Sequence, residues 1–169
     1  MKAGRGMPAF SFYYLFLLLF GIYKIYQVLL QFIYSVPSVI RWFIWFVYLI
    51  AIAFASLMPS DELPHIFYFQ NIDKVVHFTM YFGFSLLGLW TFDKAKVING
   101  KLQNTRNKHF KIYFIVFLMA VVLGFSIEVF QRLMPFGRMY SLYDMYANIT
   151  GALIGAGLYF FLFSLRRSH

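Results

Sequence analysis

The stretch "IEVFQRLMPFGRMYSLYDMYANITGALIGAG", residues 127–157, decides the fold. An apolar run ends on its left, a turn carrying Pro135 and Gly137 follows, and a second apolar run begins near residue 145. A helix that crosses a bilayer needs about 20 apolar residues, and proline and glycine between two such runs punctuate the chain. The stretch therefore reads as the connection between two membrane helices. It also carries Glu128, Gln131, Arg132, Arg138, Asp144 and Asn148, a heavy polar load for segments that enter lipid.

The rest of the chain agrees with a membrane setting. Of its 169 residues, 62% are hydrophobic and 12% charged, and the mean hydropathy is +0.69. Ordinary soluble domains hold about 45–50% apolar and about 25% charged residues. The expected class is all-α, a polytopic transmembrane helix bundle of four core spans near residues 40–58, 75–92, 112–131 and 145–165, plus an N-terminal fifth. Residues 1–39 form an N-terminal hydrophobic helix, 40–165 the transmembrane bundle and 166–169 a basic tail. Segment 10–34 carries Lys24, Gln27 and Gln31 on one helical face, so it either spans or lies in the interface; a span is the preferred reading. Lys2 and Arg5 precede it as in a signal peptide, but no small-residue cleavage site follows.

The formal charge of +9 does not point to nucleic acid, because the basic residues lie between greasy segments and not on a soluble face. The loop 93–111 holds Lys94, Lys96, Lys101, Arg106, Lys108 and Lys111 against the single acid Asp93, and the C-terminal end holds Arg166 and Arg167. By the positive-inside rule both belong in the cytoplasm, and two spans separate them, so the assignments agree. The link 59–73 and the stretch 132–144 then face outward. Without cysteine there is no disulfide, thiolate ligand or thiol nucleophile.

The polar residues recur at helical spacing. Asp73, His77 and Tyr81 step by four, with Lys74 beside them; Glu128 and Gln131 lie three apart; Asp144, Asn148, Gly151 and Gly155 step by four, three and four. With the orientation above, three helices bring polar stripes to the outer leaflet, where ionisable groups turn inward and pair. The expected site is one outward-opening pocket, with His77, Glu128 and Asp144 as candidate acid–base groups and Asp73, Lys74, Tyr81, Gln131, Arg138 and Asn148 as binding groups. Structural roles compete: Asp73 as a helix cap, Ser141 with Asp144 as a capping box, Arg132 as a snorkelling anchor, Gly151 and Gly155 as a small-residue packing face. No cofactor is expected. No metal is expected either, because one histidine contributes and basic neighbours oppose a cation.

"DKVVHFTMYFGF" at 73–84, "SLMPS" at 56–60, Glu128 with Gln131, "MPFGR" at 134–138 and "DMYANITGALIGAG" at 144–157 together resemble the VanZ-like family over about residues 45–160. The resemblance implies a small multi-pass protein of the bacterial cytoplasmic membrane, connected with the envelope and with teicoplanin resistance. Its characteristic positions fall here on Asp73, Lys74, His77, Tyr81, Glu128, Gln131, Arg138, Asp144, Asn148 and Gly151. The first expectation is a protein that binds or modifies an envelope lipid or a lipidated glycopeptide. The alternative is a proton-coupled carrier using His77, Glu128 and Asp144 as a relay, for which a homodimer would complete the path. Whether turnover occurs stays open, since no nucleophile elbow or paired-histidine zinc motif is present.

Overall fold

The computed structural model describes residues 9–58, 72–98, 101–103, 109–133 and 141–164. It contains α1 (Ala9–Ser35), α2 (Ser38–Leu57), α3 (Ile72–Phe92), α4 (His109–Leu133) and α5 (Leu142–Ser164), with two short strands, β1 (Lys96–Ile98) and β2 (Lys101–Gln103), between α3 and α4. Among the described residues, five helices are long and apolar enough to cross a membrane. The protein is a multi-pass, all-α membrane protein, and the helices match the five apolar segments of the sequence to within a few residues.

The chain forms two contact units, Met1–Pro37 with Lys94–Thr105, and Ser38–Asp93 with Arg106–His169. In the first, α1 touches both strands. Its middle is almost wholly exposed apolar surface, from Tyr13 to Phe20, and Leu30 and Tyr34 are buried near its end. The strands pair antiparallel, with Val97 opposite Leu102. A basic loop was the expectation here. Asn99–Gly100 stands between the strands in the sequence, and Asn–Gly between alternating apolar residues is a strong hairpin signal.

In the second unit α3 is the shared helix, packed on α2, α4 and α5. Lipid offers no hydrophobic drive between helices, so close packing and hydrogen bonds must hold them together. Small residues on α5 allow the closest approach. A Cβ on Gly151 would collide with the carbonyl of Phe78, and one on Gly155 with that of Phe82. Between α2 and α3, Trp45 Nε1 donates to Phe84 O at 3.3 Å and Tyr48 Oη to Met80 O at 3.1 Å. Trp45, Ile52, Tyr81, Phe84, Ala120, Ile127 and Ala152 form the core, with contributions from all four helices.

The two ends of this unit are fastened differently. At the C-terminal end of α3, buried Arg41 donates through Nη1 to Trp90 O at 2.8 Å and Asp93 O at 3.1 Å. Tyr159 Oη donates to Asp93 Oδ2 at 2.8 Å. A cation on the last carbonyls of a helix satisfies both their free lone pairs and the helix dipole. The opposite end, where α3 and α5 begin and α4 finishes, holds the polar stripes.

Candidate functional site

The stripes become two stacked layers. His77, Glu128 and Asp144 make the upper one, each buried, with a ligand-capable atom of each within 4.8 Å of the others. One helical turn deeper in each case, at the i±4 positions, come Tyr81 on α3, Gly124 on α4 and Asn148 on α5. A Cβ on Gly124 would stand 3.1 Å from Asn148 Nδ2 and 3.3 Å from Tyr81 Oη, so this glycine leaves room for both polar groups. Sequence reasoning did not single out Gly124. Its signal was its place four residues before Glu128.

The layers are cross-linked. His77 Nδ1 lies 3.1 Å from Asn148 Oδ1. An amide oxygen can only accept, so Nδ1 carries the hydrogen and Nε2 is left facing Asp144, whose Oδ2 is 3.9 Å away. That separation is too long for a direct hydrogen bond and short enough for strong electrostatic coupling in a site shielded from water. Tyr81 lies buried beneath. Tyr81 Oη and Asn148 Nδ2 are both buried and have no hydrogen-bond partner among the described residues.

Ser141 caps α5, its Oγ accepting from the backbone N–H of Asp144 at 3.3 Å. In a complete capping box the residue at Asp144's position would turn back to the N–H of the cap. Here Glu128 takes that part from α4, its Oε2 accepting from Ser141 N at 3.3 Å. The capping expectation for Asp144 is thus half met. Its own carboxylate is released toward His77 and toward Lys74 Nζ, 3.8 Å from Oδ1.

The remaining expected residues separate by depth. Asp73 and Lys74 form an ion pair of 2.8 Å at the rim, both partly exposed. Gln131 is buried but turned aside, its Nε2 donating at 2.6 Å to Ser56 O at the end of α2. Arg132 is exposed, as an interface anchor would be. Arg138 lies outside the described residues. A shallow recess runs between α4 and α5, lined by Ala120, Val121, Gly124, Phe125, Met145 and Asn148 among others. Its one amide is that of the lower layer.

The buried layer offers one imidazole and two carboxylates, which can exchange protons, bind a cation or grip a polar headgroup. A family model described as VanZ/LLP1 matches residues 10–163, nearly the whole chain. The match starts well before residue 45, so the segment that forms α1 belongs to the family's pattern as much as the later spans do. No curated protein and no solved structure matches the chain.

Proposed function

The chain belongs to the VanZ/LLP1 family of membrane proteins, and from that premise we propose that it acts in the bacterial cytoplasmic membrane on an envelope lipid or a lipidated glycopeptide, lowering sensitivity to teicoplanin. The basic loop and tail lie in the cytoplasm in this reading, which turns the polar layers to the outer face. The observation that carries it is the meeting of His77, Glu128 and Asp144 from three helices within 4.8 Å, buried at one membrane end of the bundle. Intramembrane ionisable groups gathered in this way mark functional sites. The recess beside Asn148 supports a lipid-borne ligand: an acyl chain along α4 and α5 would bring its polar head to the layer that Gly124 leaves open. Lys74, with a third of its side chain exposed, supplies a positive group at the rim.

The test is expression in a teicoplanin-susceptible host, with susceptibility and co-purified lipid measured together. Wild type should lower susceptibility and carry a bound lipid by native mass spectrometry, and His77→Ala and Asp144→Asn should lose both. Unchanged susceptibility and one lipid profile across the set would overturn the reading. Glu128→Gln divides binding from turnover. Loss of phenotype with the lipid retained is the result for an enzyme, and retention of both is the result for a binding protein.

A further inference from the structure

We infer that His77, Glu128 and Asp144 form a binding site for a divalent transition-metal cation, Zn²⁺ or Mn²⁺. The sequence alone argued against a metal, because it showed one histidine among basic neighbours. The structure keeps the one histidine but adds two buried carboxylates beside it, and it turns Lys74 toward Asp73.

The donor set is the first ground. One imidazole nitrogen and two carboxylates, all buried, converge within 4.8 Å from α3, α4 and α5. Donors around an ion with bonds of about 2.1 Å stand roughly 3.4 Å apart in a tetrahedral site, so small side-chain rotations close the set. Imidazole suits first-row transition ions and carboxylates extend the choice to Mn²⁺, whereas Mg²⁺ and Ca²⁺ favour all-oxygen surroundings.

The state of the histidine is the second ground. Asn148 Oδ1, 3.1 Å from Nδ1, accepts from that nitrogen and leaves Nε2 turned toward Asp144 Oδ2, 3.9 Å away. An imidazole nitrogen facing a carboxylate in a dry site needs a positive species between them, a proton or a metal ion. Locking of the far ring nitrogen by an outer partner is also how metal-binding histidines are held.

A third, separate ground lies one turn deeper. Tyr81 is 1% and Asn148 3% exposed, and among the described residues Tyr81 Oη and Asn148 Nδ2 have no hydrogen-bond partner. Buried unpaired donors are costly. Both border Gly124, directly under the donor set, and would serve a water or substrate oxygen on the coordination position that three protein ligands leave open. Lys74 does not block the site. It hydrogen-bonds Asp73 at 2.8 Å and stands 3.8 Å from Asp144 Oδ1, leaving Oδ2 turned to His77.

This site does not depend on which ligand the family role requires, and its test needs neither lipid nor antibiotic. Protein purified in detergent is stripped with a chelator, re-equilibrated with ZnCl₂ or MnCl₂, desalted and assayed by mass spectrometry of the metals. About one ion per chain is expected, with Zn²⁺ and Mn²⁺ in competition identifying the tighter. His77→Gln, Glu128→Gln and Asp144→Asn should each weaken binding by about 10-fold or more. To cover a variant that folds poorly, Mn²⁺ on the wild-type protein is read by electron spin echo, where coupling to an imidazole nitrogen is expected. Less than about a tenth of an ion per chain, no nitrogen coupling, or binding that survives all three substitutions would overturn the inference.

Discussion

His77 Nδ1 and Asn148 Oδ1 meet at 3.1 Å across the α3–α5 seam, 71 residues apart in sequence. The contact selects a tautomer, since the amide oxygen has no hydrogen to give, and aims Nε2 at Asp144. Asn148→Leu keeps the side chain's approximate shape and removes the acceptor. We expect the ring to lose its fixed orientation and the proposed effect on teicoplanin susceptibility to fall by about 10–100-fold, the range for loss of an orienting partner. Nitrogen NMR of labelled histidine checks it: a single Nδ1–H form in wild type should give way to a tautomer mixture. An unchanged spectrum would mean the contact does not set the tautomer.

Gly151 and Gly157 should respond oppositely to the same substitution. A new Cβ at Gly151 meets backbone atoms of Phe78, with its carbonyl carbon at 3.0 Å and Cα at 3.1 Å, whereas one at Gly157 has nothing within 4 Å among the described residues. Backbone cannot rotate away as a side chain can, so Gly151→Ala should push α5 off α3 and cost about 1–3 kcal/mol. Gly157→Ala meets no such penalty and gains about 1 kcal/mol from helix propensity. Thermal unfolding in detergent, followed by helix content, reads both. Equal melting of the two variants would show that α3 and α5 are not held this closely.

Much of this was legible because it is periodic. Asp73–His77–Tyr81 and Asp144–Asn148–Gly151–Gly155 fall on single faces of helices, and an apolar segment such as that of Glu128 gives an acid no reason to be there except a partner. What stayed hidden were contacts to backbone. Gln131 shares the helical spacing of Glu128 yet bonds the carbonyl of Ser56, and a carbonyl leaves no trace in side-chain patterns. Arg41 near the start of a span looks like any snorkelling residue, though it is buried on carbonyls of α3 and beyond. Glu128 as the missing half of the Ser141 capping box was equally invisible, because a capping box is ordinarily local in sequence.

That borrowed cap separates two substitutions of Glu128. Glutamine still presents an oxygen to Ser141 N, now 3.3 Å from Glu128 Oε2, whereas alanine leaves the N–H without this acceptor and opens a cavity. Glu128→Ala should cost about 1–2 kcal/mol from the cap alone, and Glu128→Gln much less, because it also relieves a buried charge. Hydrogen exchange at the first turn of α5 is the measurement. Protection at Ser141 lost in the alanine variant and kept in the glutamine variant is expected, and the same protection in both would show that Glu128 does not cap α5.

The Arg41 clasp should govern stability without governing the proposed teicoplanin phenotype. Arg41 Nη1 holds Trp90 O and Asp93 O, Thr91 Oγ1 donates to Arg41 O at 3.2 Å, and Tyr159 Oη holds Asp93 Oδ2. These contacts join α2, α3 and α5 at the end of the helices opposite to the His77 layer. Hydrogen bonds to a charged donor contribute about 1.5–3 kcal/mol each, so Arg41→Met, which keeps an unbranched apolar stem, should destabilise by about 3 kcal/mol or more. Tyr159→Phe removes one bond to a carboxylate and should cost about half as much. Residues with no shared partners add independently, so combining Arg41→Met with Asn148→Leu should give the sum of their stability losses, while the phenotype follows Asn148 alone. A phenotype lost in Arg41→Met at a temperature where the variant remains folded would show that the two ends of the bundle are energetically coupled.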